Sequence, residues 1–199
     1  KRLVKNKFQD DIRCIIGVKP RPYNVVINGE EIKTTLWSTA GQERFRAIGM
    51  AYAKKSVGII ISYDISQKQS FNEVPTLLKK LREISDANTV FMLIGMKIDF
   101  NYNRVVTTEE GAQFAKKEGL LFSETSSKLN INIHESFTNL LIEIYNRQKS
   151  TNIPKFKYIE QTPLSSQQNQ KETVKKQEND YLDDTIFFYN NVLYPFNFE

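Results

Sequence analysis

Two short runs constrain this chain more than anything else in it. Val57–Tyr63 (VGIIISY) and Val90–Ile94 (VFMLI) are nearly unbroken apolar segments. A strand with one wet face alternates polar and apolar residues, so these read as strands covered on both faces, as in a parallel sheet. Between them, Phe71–Ile84 sets Phe71, Val74, Leu77, Leu78, Leu81 and Ile84 at helical spacing. That amphipathic helix is the crossover a parallel pair needs.

The flanking segments extend the pattern. Residues 23–37, YNVVINGEEIKTTLW, hold two β-type runs joined by Asn28-Gly29, a dipeptide suited to the positive φ angles of a tight hairpin. TTEEGAQFAKKEG (107–119) starts with capping hydroxyls and acids and stops at Gly119, as a helix does. LLFSET (120–125) reads as a further strand and Ile133–Tyr145 as a further amphipathic helix. A hairpin followed by βαβαβα predicts an α/β fold with a doubly wound, mostly parallel sheet. Within 199 residues this is one domain over 1–147. Beyond Arg147 the run QTPLSSQQNQKETVKKQEND is polar and low in complexity, so 148–199 is expected to be a disordered tail. Its aromatic-rich end, TIFFYNNVLYPFNFE, leaves two readings open: a segment that docks on the domain, or translated non-coding sequence.

Composition removes several classes. A net charge of +5 without a basic stripe interleaved with aromatics argues against nucleic-acid binding. One cysteine, Cys14, excludes an internal disulfide framework, and inert packing is its simplest role. No apolar run approaches the ~20 residues that span a bilayer. The opening KRLVKNKF has neither an initiator Met nor a signal-peptide core, which suggests that the natural beginning is absent.

In a doubly wound sheet, ligands sit at the carboxyl ends of the strands. Three such ends carry polar clusters here: WSTAGQE, GMKID and ETSSK. WSTAGQERFR resembles the switch II signature of the Rab branch of Ras-like small GTPases, usually WDTAGQERF. GMKID is similar to that family's guanine-reading GNKxD, ETSSK to its ETSAK, and Ile16-Gly17-Val18 to the end of its switch I. Four signatures in order, from about Arg2 to Arg147, make the resemblance specific.

The resemblance implies the fold of a P-loop GTPase and a GTP/GDP switch in intracellular vesicle traffic. It places Gly41 near a γ-phosphate and Gln42 as the catalytic residue that orients the attacking water. Asp99 would accept from guanine N1–H and the 2-amino group, and Lys97 would lay its stem against the base. Ser126, Ser127 and Lys128 would complete the cofactor site, the backbone N–H of Ser127 meeting the guanine carbonyl. Trp37, Phe45 and Tyr52 would face effector and regulator proteins; Trp37 and Tyr52 match two of the family's three aromatic positions, and Pro20 stands at the third, where Phe is usual. Location would be cytoplasmic and peripheral at endomembranes. The chain ends NFE without prenylatable cysteines, so the expected anchor is missing.

The departures bear on chemistry. No GxxxxGK[ST] loop occurs, Ile15 stands at the switch I Thr, Ser38 at the metal-holding Asp, and Met96 at the guanine-site Asn. Ile has no oxygen and Ser only a neutral one, so Mg²⁺ is poorly served and no metal ligand is assigned. Weak GTP/GDP binding and very slow hydrolysis follow, with a pseudo-GTPase acting as an interaction module as the alternative. Plainer readings compete at each position. Gln42 could be a solvated turn residue, Lys97 and Asp99 a surface pair, and Trp37 and Tyr52 ordinary half-buried aromatics. His134 reads as a surface residue, and the lysine pairs from Lys155 to Lys176 as solvated linker. The resemblance also implies that the first, central strand is missing, leaving a gap between the hairpin's second strand and VGIIISY. Buried ladder groups without partners would cost about 1–3 kcal/mol each, so such a chain is expected to be unstable.

Overall fold

A computed structural model describes residues 2–8, 19–27, 29–38, 46–150 and 185–190. Its centre is a six-stranded sheet: β1 (Lys19–Ile27), β2 (Glu30–Ser38), β3 (Gly58–Asp64), β4 (Val90–Met96), β5 (Leu121–Thr125) and β6 (Thr185–Asn190). The spatial order is β1-β2-β6-β3-β4-β5, with only the β1–β2 hairpin antiparallel. The helices are α1 (Arg2–Lys5), α2 (Arg46–Ala53), α3 (Lys68–Asn72), α4 (Val74–Ile84), α5 (Thr108–Glu118) and α6 (Ile133–Ser150).

Local chemistry accounts for most boundaries. Ile27 pairs with Glu30, so two residues close the hairpin, and Gly29 takes φ 79°. Asn28 lies outside the described residues. Pro20 and Pro22 fall on β1, the edge strand, where a missing N–H costs no inner ladder bond. The helix expected over Phe71–Ile84 is two helices, α3 and α4, broken at Glu73, and Pro75 occupies the first turn of α4. A proline fits a first turn, where the N–H has no helical partner. Thr107 accepts the Glu110 N–H as N-cap of α5, and Gly119 closes that helix at φ 64°. The last helix runs on past Tyr145 to Ser150.

Both faces of the inner strands are covered. Ile59, Ile61, Tyr63 and Leu93 pack with Val74, Leu77, Leu78, Leu81 and Ala115 on one side. Ile60, Met92 and Ile94 pack with Phe137, Leu140, Leu141 and Ile144 of α6 on the other. This is the doubly wound α/β arrangement read from the apolar runs.

The expected gap in the sheet is filled. β6, from the tail, runs parallel to β2 on one side and to β3 on the other. Thr35 opposes Thr185 and Ser38 opposes Phe188; Gly58 opposes Ile186 and Ser62 opposes Asn190. The ladder groups facing the slot therefore have partners, and the predicted instability loses its ground. Six residues inside the segment expected to be a disordered tail are a central strand.

Candidate functional site

The carboxyl ends of β3, β4 and β5 meet at one edge of the sheet, and the polar groups there form one connected array. β4 ends at Met96, and Lys97 turns the chain with φ 67° and ψ 39° into a 3-10 turn over Ile98–Asn103. That left-handed residue sends the Lys97 side chain back over β3, where Nζ lies 2.6 Å from Asp64 Oδ2. Asp64 is fully buried and also accepts from the Ser66 hydroxyl at 2.6 Å and the Ser66 N–H at 2.9 Å. Burial alone would raise its pKa. The hydrogen bonds from Lys97 and Ser66 outweigh that, and the carboxyl is held below the usual carboxylate range.

Two residues further on, Asp99 is oriented from β5. Ser126, completely buried, accepts the Leu129 N–H at 3.0 Å and lies 2.5 Å from Asp99 Oδ1. A hydroxyl has one proton, and a carboxylate can only accept, so Ser126 donates to Asp99. The antiparallel bridge Ser126–Ile131 closes the loop between them; Asn130 takes a positive φ within it and Asn132 just beyond it. Ser127 and Lys128 are exposed on that loop. Lys128 Nζ sits 5.9 Å from the centre of the Phe100 ring, linking the loop to the 3-10 turn that carries Asp99.

Two further residues brace the array, and neither was singled out by motif. Arg104 grips Glu124 with both arms, Nη1–Oε1 at 2.7 Å and Nη2–Oε2 at 3.0 Å, and Glu124 raises the pKa of the guanidinium further. Its Nε also donates to Asn101 at 2.7 Å, so the end of β5 and the 3-10 turn are tied together. Arg2 donates to the carbonyls of Ser127 at 2.7 Å and Lys128 at 3.0 Å, and its guanidinium lies 5.8 Å from the Phe8 ring centre. Spacing carries no signal for either contact: Arg104 and Arg2 reach partners far along the chain.

The structure thus brings Lys97, Asp99, Ser126, Ser127 and Lys128 together. The Asp99 carboxylate, an acceptor with two oxygens beside an exposed loop with backbone N–H groups, can receive two N–H donors of a planar ligand. Met96 ends β4 with a thioether side chain. Gly41, Gln42, Phe45 and Ile15 lie outside the described residues, as does the side chain of Ser38. Among the described residues no group of three or more His, Cys, Asp or Glu side chains could hold a metal ion. Ile15 carries no side-chain oxygen and Ser38 a neutral one.

A second cluster lies across the sheet. Trp37 on β2 stacks on Tyr52 of α2, ring centres 4.4 Å apart at 23°, and Pro20 is the cross-strand partner of Trp37. The Trp37 indole nitrogen is buried without a hydrogen-bond partner among the described residues. The Tyr63 hydroxyl is likewise buried and unpartnered, and burial is the main reason its pKa rises. His134 is exposed, as expected, and meets the Tyr23 hydroxyl at 3.3 Å.

Comparison with known proteins sets these features in a lineage. A model of the Ras family matches residues 1–146. The Ras-related protein Rab11A of Lotus japonicus is 43% identical over 145 residues, covering 73% of this chain and 64% of that protein. The Ras-related protein RABA1h of Arabidopsis thaliana is 42% identical over 144 residues, covering 72% and 66%. The GTP-binding protein ypt3 of Schizosaccharomyces pombe is 43% identical over 144 residues, covering 72% and 67%. The chain spans about two thirds of the length of such relatives, just under that for the first of them.

Proposed function

The chain belongs to the Ras family, in its Rab branch, and from that premise we propose that it is a guanine-nucleotide-binding protein of intracellular vesicle traffic with a weakened phosphate and metal side. The observation that carries the reading is the Ser126–Asp99 hydrogen bond at 2.5 Å beside the Lys97–Asp64 pair. It supports the reading because an oriented carboxylate can accept the two N–H donors of a guanine edge, which an adenine edge does not offer. Lys97 lays its stem against the base, the Ser127 N–H meets the base carbonyl, and Ser126 and Lys128 hold the loop. Gly41 and Gln42 act at the γ-phosphate and the attacking water. The 1–147 domain performs this work, in the cytoplasm and at the surface of endomembranes; no helix among the described residues is long and apolar enough to cross a membrane.

Because Ile15 and Ser38 offer no carboxylate and Met96 no amide, GTP and GDP bind weakly, Mg²⁺ adds little, and hydrolysis is very slow. Titration with fluorescent GDP and ADP, with Mg²⁺ and with a chelator, tests this. A preference for guanine that ignores the chelator is expected. Tight retention that depends on Mg²⁺ would overturn the weakened-site reading, and equal binding of ADP would overturn guanine recognition.

A second reading rests on the Trp37–Tyr52 stack with Pro20 opposite Trp37. Together with Phe45, this face recruits effector and regulator proteins as a pseudo-GTPase interaction module. Capture of such a partner equally by GDP-loaded and GTP-loaded protein supports it; strong preference for the GTP form restores the switch.

A further inference from the structure

Three consecutive carbonyls are held in the loop that follows β5. The Ser126 carbonyl accepts the Ile131 N–H at 3.0 Å. Arg2 takes the next two, its Nε donating to the Ser127 carbonyl at 2.7 Å and its Nη2 to the Lys128 carbonyl at 3.0 Å. No peptide bond of this loop is cis, and in a trans peptide the C=O and N–H of one plane point in opposite directions. The Ser127 N–H therefore points away from Ile131, and the Lys128 and Leu129 N–H groups point away from Arg2. Leu129 bears this out: its N–H reaches Ser126 Oγ at 3.0 Å, the oxygen that also meets Asp99 Oδ1. The Ser127 and Lys128 N–H groups have no acceptor among the described residues, and both residues are exposed.

We infer that Arg2 is a positioning residue of the base site: by holding two carbonyls from the opposite side of the loop, it aims the Lys128 N–H, beside that of Ser127, at the carbonyl oxygen of the base. The role rests on the guanine reading proposed above. The loop then offers two donors beside the two-oxygen acceptor of Asp99. That is the complement of a planar edge carrying one carbonyl and two N–H groups. Arg2 is itself fixed from its own end of the chain, since Nη1 donates to the Asn6 carbonyl at 3.3 Å and the guanidinium lies 5.8 Å from the Phe8 ring centre. Its planar fork is what reaches two neighbouring carbonyls at once; a lysine ammonium brings the charge without that geometry. A loop peptide left free to rotate would have to be ordered when the base binds, and that cost weakens binding.

Competition against fluorescent GDP on the full chain tests this with three ligands: GDP, inosine diphosphate, which lacks the 2-amino group, and thioguanosine diphosphate, which carries sulfur in place of the base carbonyl oxygen. In both Arg2→Ala and Arg2→Lys, affinity for GDP and for inosine diphosphate should fall about 5- to 10-fold, the loss of one oriented hydrogen bond. Affinity for the thio analogue should fall less than about 2-fold, because sulfur is a weak acceptor. The preference for GDP over the thio analogue thus narrows, while its preference over inosine diphosphate, set at Asp99, holds. An equal loss for all three ligands makes Arg2 a prop of the fold and overturns the inference. Unaltered GDP affinity in Arg2→Lys assigns the effect to charge and overturns it too. A nucleotide-free measurement separates this from the guanine reading. Backbone order parameters at Ser127 and Lys128, about 0.85 in the unaltered chain, should drop below about 0.6 in Arg2→Ala. Unchanged order overturns the positioning role whatever the chain binds. A drop in order, in a chain that binds ADP as well as GDP, supports the positioning of the loop and overturns the guanine reading alone.

Discussion

Lys97 Nζ lies 2.6 Å from Asp64 Oδ2, across the carboxyl ends of two adjacent strands whose last residues, Asp64 and Met96, are register partners. The pair joins a fully buried carboxylate to an ammonium that is one third exposed. It fixes the side chain proposed to lie against the base.

Asp64→Asn removes this pair. Because the folded pKa of Asp64 is depressed, its contribution is present above the unfolded value of about 3.9 and is lost as pH falls through the folded value. Urea unfolding at pH 7 is expected to show a loss of about 1–3 kcal/mol relative to the unaltered chain. The difference should shrink steadily below about pH 4. A difference that stays constant into acid would show that the carboxylate charge contributes nothing.

Ser126→Ala leaves Asp99 unaimed and the Leu129 N–H without its acceptor. A hydrogen bond to a charged group contributes about 1.5–3 kcal/mol, so affinity for fluorescent GDP should fall roughly 10- to 100-fold. Equal GDP affinity in both proteins would remove Ser126 from the site.

Tyr63→Phe deletes a buried hydroxyl that has no hydrogen-bond partner. Losing an unsatisfied polar group from a core is neutral or stabilising, by up to about 1 kcal/mol. A Cβ on Gly95 would come within 2.9 Å of that hydroxyl oxygen, so Gly95→Ala should be destabilising and partly rescued by Tyr63→Phe. Thermal unfolding of the two single variants and the double variant measures the coupling.

Gly119→Ala isolates a backbone term. Gly119 has φ 64°, and nothing lies within 4 Å of an added Cβ. The cost should be about 1 kcal/mol, and Gly119→Asn should cost less, because Asn tolerates the left-handed region. A midpoint in urea that does not move would contradict the αL cap.

The local signals were legible. Val57–Tyr63 and Val90–Ile94 announced strands buried on both faces, and Asn28-Gly29 the hairpin. Thr107 and Gly119 marked the ends of α5 to the residue. Each of these is decided by neighbours within a few positions. The interruption at Glu73 has only Pro75 as its signal: proline lacks the N–H that would bond the Phe71 carbonyl, while Glu73 itself keeps helical φ and ψ. The motif residues Lys97, Asp99 and Ser126 were named from the resemblance of GMKID and ETSSK to family signatures, yet the atoms that hold them were hidden. Asp64, Arg104 and Arg2 belong to none of the motifs, and no local pattern pointed to them.

The sequence by itself determined which segments are strands and helices, which faces are apolar, and which polar clusters stand at strand ends. Period and turn chemistry are properties of short windows, so the chain states them outright. The tertiary structure alone decided who meets whom: Lys97 with Asp64, Arg104 with Glu124, Arg2 with Ser127 and Lys128, and β6 with both β2 and β3. Strand pairing is a contest among all segments able to satisfy the same backbone groups. An open pair of edges takes whichever extended segment can reach it in register, and no local window records the outcome.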